Sequence, residues 1–188
     1  MLDLSQAREA PICGLSPTPV AGVELTAASA ATRLLLRGAD AVAKAGEAFG
    51  VAIPTIPCRS NAVGDRAALW LGPDEWLLIA PEAESAARIA KLEAALGDVH
   101  HSLVDISHRQ TALTVEGKGA ERLLNAGVPL DLSLAAFPVG AVTRTIFEKT
   151  EIILWRQQSE SFRVEVWRSF APYVRALLEA ARDDNASL

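Results

Sequence analysis

Arg33-Leu-Leu-Leu-Arg-Gly-Ala-Asp-Ala-Val-Ala-Lys-Ala-Gly46 and, later in the chain, Ala112-Leu-Thr-Val-Glu-Gly-Lys-Gly-Ala-Glu-Arg-Leu-Leu-Asn-Ala-Gly127 run in parallel. Each is an apolar run, a glycine, a short helical pattern and an Ala-Gly ending. Glycine stops a strand because it lacks a side chain to pack and tolerates the turn that follows. The same grammar twice in one chain predicts a duplicated fold. Two copies are too few for a solenoid.

Working outward, each half carries a strand, a helix, a strand pair and a second helix. In the first half these are Thr32–Arg37, Ala39–Gly50, a hairpin of Arg66–Leu71 and Trp76–Ala80, and Glu84–Leu96. Gly72-Pro73-Asp74-Glu75 turns the hairpin, since proline presets φ and Asp tolerates the bend. Pro54 to Gly64 reads as a long surface loop with room for one short strand. Ser102–Ser107 and Gln110–Glu116 are strands that lead into the second half. That half continues with a helix over Lys118–Gly127, a loop over Pro129–Gly140, and strands Ala141–Glu148, Glu151–Arg156 and Phe162–Trp167. It closes with a helix over Ser169–Arg182. In Phe162–Trp167 the alternation places Phe162, Val164 and Val166 inward, with Arg163 and Glu165 outward. Residues 1–31 read as an extended arm, with a short extended piece near Val23–Leu25, and 183–188 as a frayed tail. The expected fold is α+β: two ferredoxin-like halves, about 32–107 and 110–182, with antiparallel sheets covered by helices and packed as a pseudo-dimer.

The chain has 188 residues, of which 50% are hydrophobic and 22% charged. That length buries a core without staples. A formal net charge of −5 excludes a generic nucleic-acid binder, which needs a basic footprint to displace counterions. No apolar run reaches the length of a membrane span. The acidic N-terminal stretch Met1-Leu2-Asp3 does not fit a signal peptide, so a soluble, cytoplasmic protein is expected. Cys13 and Cys58 are far apart and form no C-x-x-C pair, which suits two free thiols. The mean hydropathy of +0.20 owes much to alanine; it also suits an apolar surface kept for a partner.

The chemistry-bearing residues do not assemble into a catalytic set. Asp105, Ser107 and His108 invite a hydrolase reading. On a strand, though, Asp105 and Ser107 share a face while His108 turns away, and there is no G-x-S-x-G elbow. Short polar side chains bonding local backbone at a strand hand-over explain them better. His100 and His101 are adjacent and would face opposite ways on an extended segment, so they do not converge on a metal. Gly117-Lys118-Gly119 lacks the spacing of a phosphate loop. The sequence therefore assigns no catalytic, cofactor or metal residue to this chain. Trp70, Trp76, Trp155 and Trp167 are aromatic anchors, with Trp70 and Trp155 at matching places in the two halves. Core packing accounts for some of them. Buried Trp and Arg also dominate protein interfaces, so the candidates for a partner-facing surface are Trp70, Trp76, Asp105, His108, Arg109, Trp167 and Arg168.

Longer stretches resemble a known family. Gly64-Asp-Arg-Ala-Ala-Leu-Trp-Leu-Gly-Pro-Asp-Glu-Trp-Leu-Leu78, His101-Ser-Leu-Val-Asp-Ile-Ser-His-Arg-Gln-Thr-Ala-Leu113, Leu124-Asn-Ala-Gly-Val-Pro-Leu-Asp-Leu132, Phe137-Pro-Val-Gly140 and Glu165-Val-Trp-Arg-Ser-Phe-Ala-Pro-Tyr173 are together similar to the gamma subunit of heterotetrameric sarcosine oxidase. The resemblance implies a complex of alpha, beta, gamma and delta subunits that demethylates sarcosine to glycine and passes the one-carbon unit to tetrahydrofolate. It places FAD, FMN, NAD, zinc and tetrahydrofolate on the partner subunits and none on this chain. It gives gamma a non-catalytic assembly role, docked mainly on alpha. Val104-Asp-Ile-Ser-His108 and the strand-glycine-helix after it also resemble the folate-binding domain of the glycine-cleavage T-protein. Where that domain has a glycine-rich turn leading to a working acid, this chain has Phe147-Glu-Lys-Thr-Glu-Ile152. The alternatives are a stand-alone folate or one-carbon binding module, and a gamma-type subunit of a related N-methyl amino acid dehydrogenase.

Overall fold

The apolar run before Gly38 forms a strand, and so does the run before Gly117. The computed structural model describes Val20 and residues 22–186. Most of the extended arm, with Cys13, therefore lies outside the described residues. The strands are β1 Glu24–Ala27, β2 Ala31–Arg37, β3 Ser60–Val63, β4 Arg66–Gly72, β5 Glu75–Pro81, β6 Ser102–Asp105, β7 Gln110–Glu116, β8 Val142–Phe147, β9 Thr150–Gln158 and β10 Ser161–Trp167. The α-helices are α1 Val42–Phe49, α2 Ser85–Leu96, α3 Ala120–Leu124 and α4 Ala171–Ala186. Single 3-10 turns at Ala39–Ala41 and Glu82–Glu84 lead into α1 and α2.

Two five-stranded antiparallel sheets result, ordered β3-β4-β5-β2-β6 and β8-β9-β10-β7-β1. Within each, the ferredoxin-like βαββαβ pattern is visible once an extra edge strand (β3 or β8) is set aside. Backbone details repeat with the topology. Gly38 and Gly117 have φ of 114° and 113°, and their N–H groups donate to Asp74 O and Glu160 O at 3.2 and 2.9 Å. The reason for glycine is steric as well as conformational. A Cβ on Gly38 would lie 2.8 Å from His100 O, and one on Gly117 would lie 2.1 Å from Gly22 O. Near the pseudo-twofold axis, equivalent residues pair with each other. Arg59 bridges Ala141, Ser60 N–H donates to Gly140 O, and Val142 N–H donates to Cys58 O.

The sheets stack face to face with helices outside. In β5, Trp76, Leu78 and Ala80 pack under α1 and α2, whereas Leu77 and Ile79 face the other sheet. In β9, Ile152 and Leu154 pack under the second helical layer, while Ile153 and Trp155 face inward. This is the two-residue period of a strand buried on both sides. Three apolar clusters follow, one under each helix pair and one between the sheets.

Four expectations change. The edge beside β7 is filled by β1, from the segment assigned to the arm, whose Leu25 packs fully buried into the second core. The segment after residue 182 continues α4 to Ala186; no glycine or proline after Pro172 stops the helix. Glu165 does not point to solvent. Both faces of its sheet are covered, and it lies 1% exposed between the layers. Finally, Trp70 and Trp155 are not equivalent. Trp70 pairs with Trp76 on β5, and the matching pair on β9 and β10 is Arg156 with Phe162. The true counterpart of Trp155 is Leu69. A one-residue offset puts the two tryptophans on opposite sheet faces.

Candidate functional site

The predicted partner-facing residues separate into three groups. Trp76 is 2% exposed, and its indole N–H donates to Pro54 O at 2.7 Å. It anchors the loop before β3 and offers no surface, a correction to its candidacy that follows from the double burial of β5. Trp70 is half-buried against the same core. The remaining five, Asp105, His108, Arg109, Trp167 and Arg168, come together where β6 passes to β7 and β10 ends.

The turn at this place is built locally. Asp105 accepts from Ser107 N–H at 2.9 Å and from the Ser107 hydroxyl at 2.5 Å. Ser107 Oγ in turn accepts from Arg33 N–H at 2.9 Å. The serine hydroxyl thus donates to the carboxylate rather than to a histidine, so the three residues make a turn and not a nucleophile relay. Among the described residues no three His, Cys, Asp or Glu side chains converge as a metal set. Cys58 is a free, exposed thiol.

Beyond the turn, Arg109 and Trp167 face each other across the end of the β7–β10 ladder. Gln110 pairs with Trp167 in the register, and Arg168 N–H donates to Arg109 O at 2.9 Å. The Arg109 guanidinium carbon lies 5.3 Å from the Trp167 ring centroid, within the range of a cation–π contact. Phe170, just before α4, and Tyr173, on its first turn, follow Trp167 in the chain and are also exposed. The helical pattern over Ser169–Arg182 puts Phe170 on the apolar stripe with Val174, Leu177, Leu178 and Ala181, but Phe170 is exposed, because α4 begins at Ala171 and its buried residues are Ala171, Val174 and Leu178; sequence reasoning did not single out Tyr173.

Between the sheets lie two clefts related by the pseudo-twofold axis. One, of about 490 Å³, is lined by Ala67, Ile79, Thr114, Trp155 and Arg163. The other, of about 240 Å³, is lined by Leu35, Glu75, Arg109, Arg144, Ile153 and Trp167. In the smaller cleft the buried Glu75 carboxylate is held between Arg37 and Arg144, each at 2.5 Å. Across the sheet interface Glu165 accepts from Arg33 at 2.6 Å and from Arg163 at 2.8 Å. In each cluster two guanidinium groups share one buried carboxylate. One carboxyl is held below its ordinary range: exposed Asp131, by the backbone N–H and then the hydroxyl of Ser133.

Comparison with known proteins completes the description. Residues 37–184 match the model of the sarcosine oxidase, gamma subunit family. The chain is 33% identical to a sarcosine oxidase subunit gamma of Corynebacterium sp. (strain P-1), over 88% of this chain and 82% of that protein. It is 32% identical to the subunit gamma of Corynebacterium sp. (strain U-96), over 100% and 96%. Among solved structures, a chain of the heterotetrameric sarcosine oxidase from Corynebacterium sp. U-96 superposes with a TM-score of 0.83 at 30% identity, covering 97% of this chain and 93% of that one. The glycine cleavage aminomethyltransferase T of Bartonella henselae superposes with a TM-score of 0.67 at 16% identity, over 88% of this chain and 50% of that one; this likeness is one of fold.

Proposed function

We propose that this chain, which belongs to the sarcosine oxidase gamma subunit family, is the gamma subunit of a heterotetrameric sarcosine oxidase and serves there in assembly rather than in catalysis. The observation that carries the reading is the end-to-end likeness to a chain of the Corynebacterium sp. U-96 heterotetramer, at 97% coverage and a TM-score of 0.83. Its architecture supports the same role. Between the sheets, apolar side chains pack together and Glu165 is held by Arg33 and Arg163 of the same chain. The Asp105–Ser107 pair is occupied in holding a turn.

In this reading alpha, beta and delta subunits are the partners, with alpha the main contact. FAD, FMN, NAD, zinc and tetrahydrofolate reside on those partners, and the complex demethylates sarcosine in the cytoplasm. Co-expression with candidate alpha, beta and delta chains tests it. The four chains are expected to co-purify, with the isolated chain colourless and without turnover of sarcosine. A flavin spectrum or amine oxidation from the isolated chain would overturn the assembly role. Micromolar binding of a tetrahydrofolate analogue by the isolated chain would favour a one-carbon binding module instead.

A further inference from the structure

The duplicated fold carries its own control. Strands β5 and β10 are both seven residues long, and α2 and α4 both begin four residues after them. Position by position, Pro81 matches Trp167, Glu82 matches Arg168, Glu84 matches Phe170 and Ala87 matches Tyr173. The backbone is the same, yet the first half presents small and acidic residues there and the second presents aromatic and basic ones. The architecture itself therefore does not require aromatics at this place. Trp167, Phe170 and Tyr173 are 40%, 46% and 39% exposed, and they are the only exposed aromatics among the described residues. Three aromatic rings held at a surface within seven residues expose apolar area that a free chain gains nothing from.

We propose that the face formed by Trp167, Phe170, Tyr173 and Arg109 docks onto an adjoining subunit through a site on that subunit where a carboxylate sits beside apolar side chains. The inference rests on the subunit reading above and names the chemistry of the contact. Charge decides the occupant. Arg109 stacks on Trp167, and no carboxylate of the described residues pairs with it. Beside it, Arg37 and Arg144 share the buried carboxylate of Glu75, and Arg144 also lies 3.8 Å from exposed Glu151, so three guanidinium groups meet two carboxylates along this cleft. The chain as a whole carries a net charge of −5, so a locally basic site is where an acidic partner surface gains most. That fixes the docking orientation as well as contributing to affinity. Stacking keeps the guanidinium in place before the partner arrives, so little side-chain entropy is lost on binding. Trp, Tyr and Arg in one cluster is the composition of interface residues that dominate affinity.

The test uses the co-expressed complex. Trp167→Ala and Arg109→Glu are compared with wild type and with Ile56→Ser, an exposed apolar residue in the loop before β3. Association is read by size-exclusion chromatography and interferometry, and folding by circular dichroism. Expected are at least about tenfold weaker association for both patch variants at unchanged folding and no change for Ile56→Ser. Arg109→Ala should also flatten the salt dependence of association. Should Trp167→Ala unfold, Tyr173→Ala, at an exposed helix position, carries the test with the same expectation. Full assembly of the patch variants overturns this site and leaves the subunit reading standing. Failure of wild type to assemble overturns both. Self-association of the isolated chain that Trp167→Ala abolishes overturns the proposal by assigning the face to a second copy.

Discussion

Where β5 turns Leu77 and Ile79 toward the opposite sheet, β10 turns Arg163 and Glu165. Where β2 has Arg33 at its inner face, β7 has Ala112. Under the helices, Trp70 in the first half is replaced by Arg156 in the second. Arg156 is fully buried with its guanidinium carbon 4.3 Å from the Phe162 ring centroid; it donates to Ser159 O at 2.6 Å and also to Leu132 O. One backbone thus tolerates an oily and an ionic solution at equivalent positions. What the comparison teaches is that the topology is specified by glycines, turns and the apolar period, while the inner-face chemistry is free to vary if every charge finds a partner. Exposed positions that differ between the halves are then the places to look for function.

The largest effect should come from breaking the ionic solution on one side only. Glu165→Ala leaves Arg33 and Arg163 buried without their shared carboxylate and should cost about 3–5 kcal/mol, measured by urea unfolding. Giving each of the three residues its counterpart from the other half, as Arg33→Ala (after Ala112), Arg163→Leu (after Leu77) and Glu165→Ile (after Ile79) together, should recover most of that loss, because a buried ion network replaced by apolar residues is often neutral or stabilising. Failure of the triple variant to recover would show that the halves are not interchangeable.

Gly117→Ala comes next. The new Cβ would meet Gly22 O, and the φ of 113° is itself unfavourable for alanine, so a loss of at least about 1–3 kcal/mol is expected. Loss of hydrogen-exchange protection confined to β1 and β7 would sharpen the assignment of β1 to the second half.

A smaller pair of changes probes the pseudo-twofold axis. Gly140 has φ 83°, and its counterpart Cys58 has φ 57°. Left-handed backbone costs a non-glycine residue about 1–2 kcal/mol. Gly140→Ala should lower the melting temperature, whereas Cys58→Gly should leave it level or raise it slightly. The reverse order would break the equivalence.

The smallest effect concerns Asp131. Its carboxyl is held below the ordinary value by Ser133, so the contact stabilises the folded chain above the unfolded-state value and is lost as pH falls through the folded one. Ser133→Ala removes the hydroxyl but keeps the backbone N–H, so the Asp131 titration, followed by NMR, should move only part of the way back, whereas Ser133→Pro, which removes the N–H, should move it further. An Asp131 titration unmoved by Ser133→Pro would assign the depression to another group.

Much of this was legible from residues. The paired strand-glycine-helix stretches gave away the duplication, and Gly72-Pro73-Asp74-Glu75 the hairpin, because glycine and proline constrain backbone locally. Long amphipathic helices such as α2 were equally plain. The swap of β1 into the second sheet was not, since a four-residue strand has no period of its own and its partner β7 is remote in sequence. Glu165 was misplaced for a related reason: alternation reports two faces of a strand but not that both are covered. Of the partner-facing candidates, Trp167, Arg168, Arg109, His108 and Asp105 cluster, while Trp76 packs inward. Nothing local separates an indole under a helix from one at a rim, and Phe170 and Tyr173 declared themselves only once the buried stripe of α4 was known.

Hydrogen–deuterium exchange, compared between the isolated chain and the co-purified complex, reads the claim that function lies in the difference between the halves. Residues 167–173 and the turn at 105–109 should gain protection in the complex, and the matching segment 81–87 should gain far less. Equal protection of both segments, or protection of neither, would contradict it.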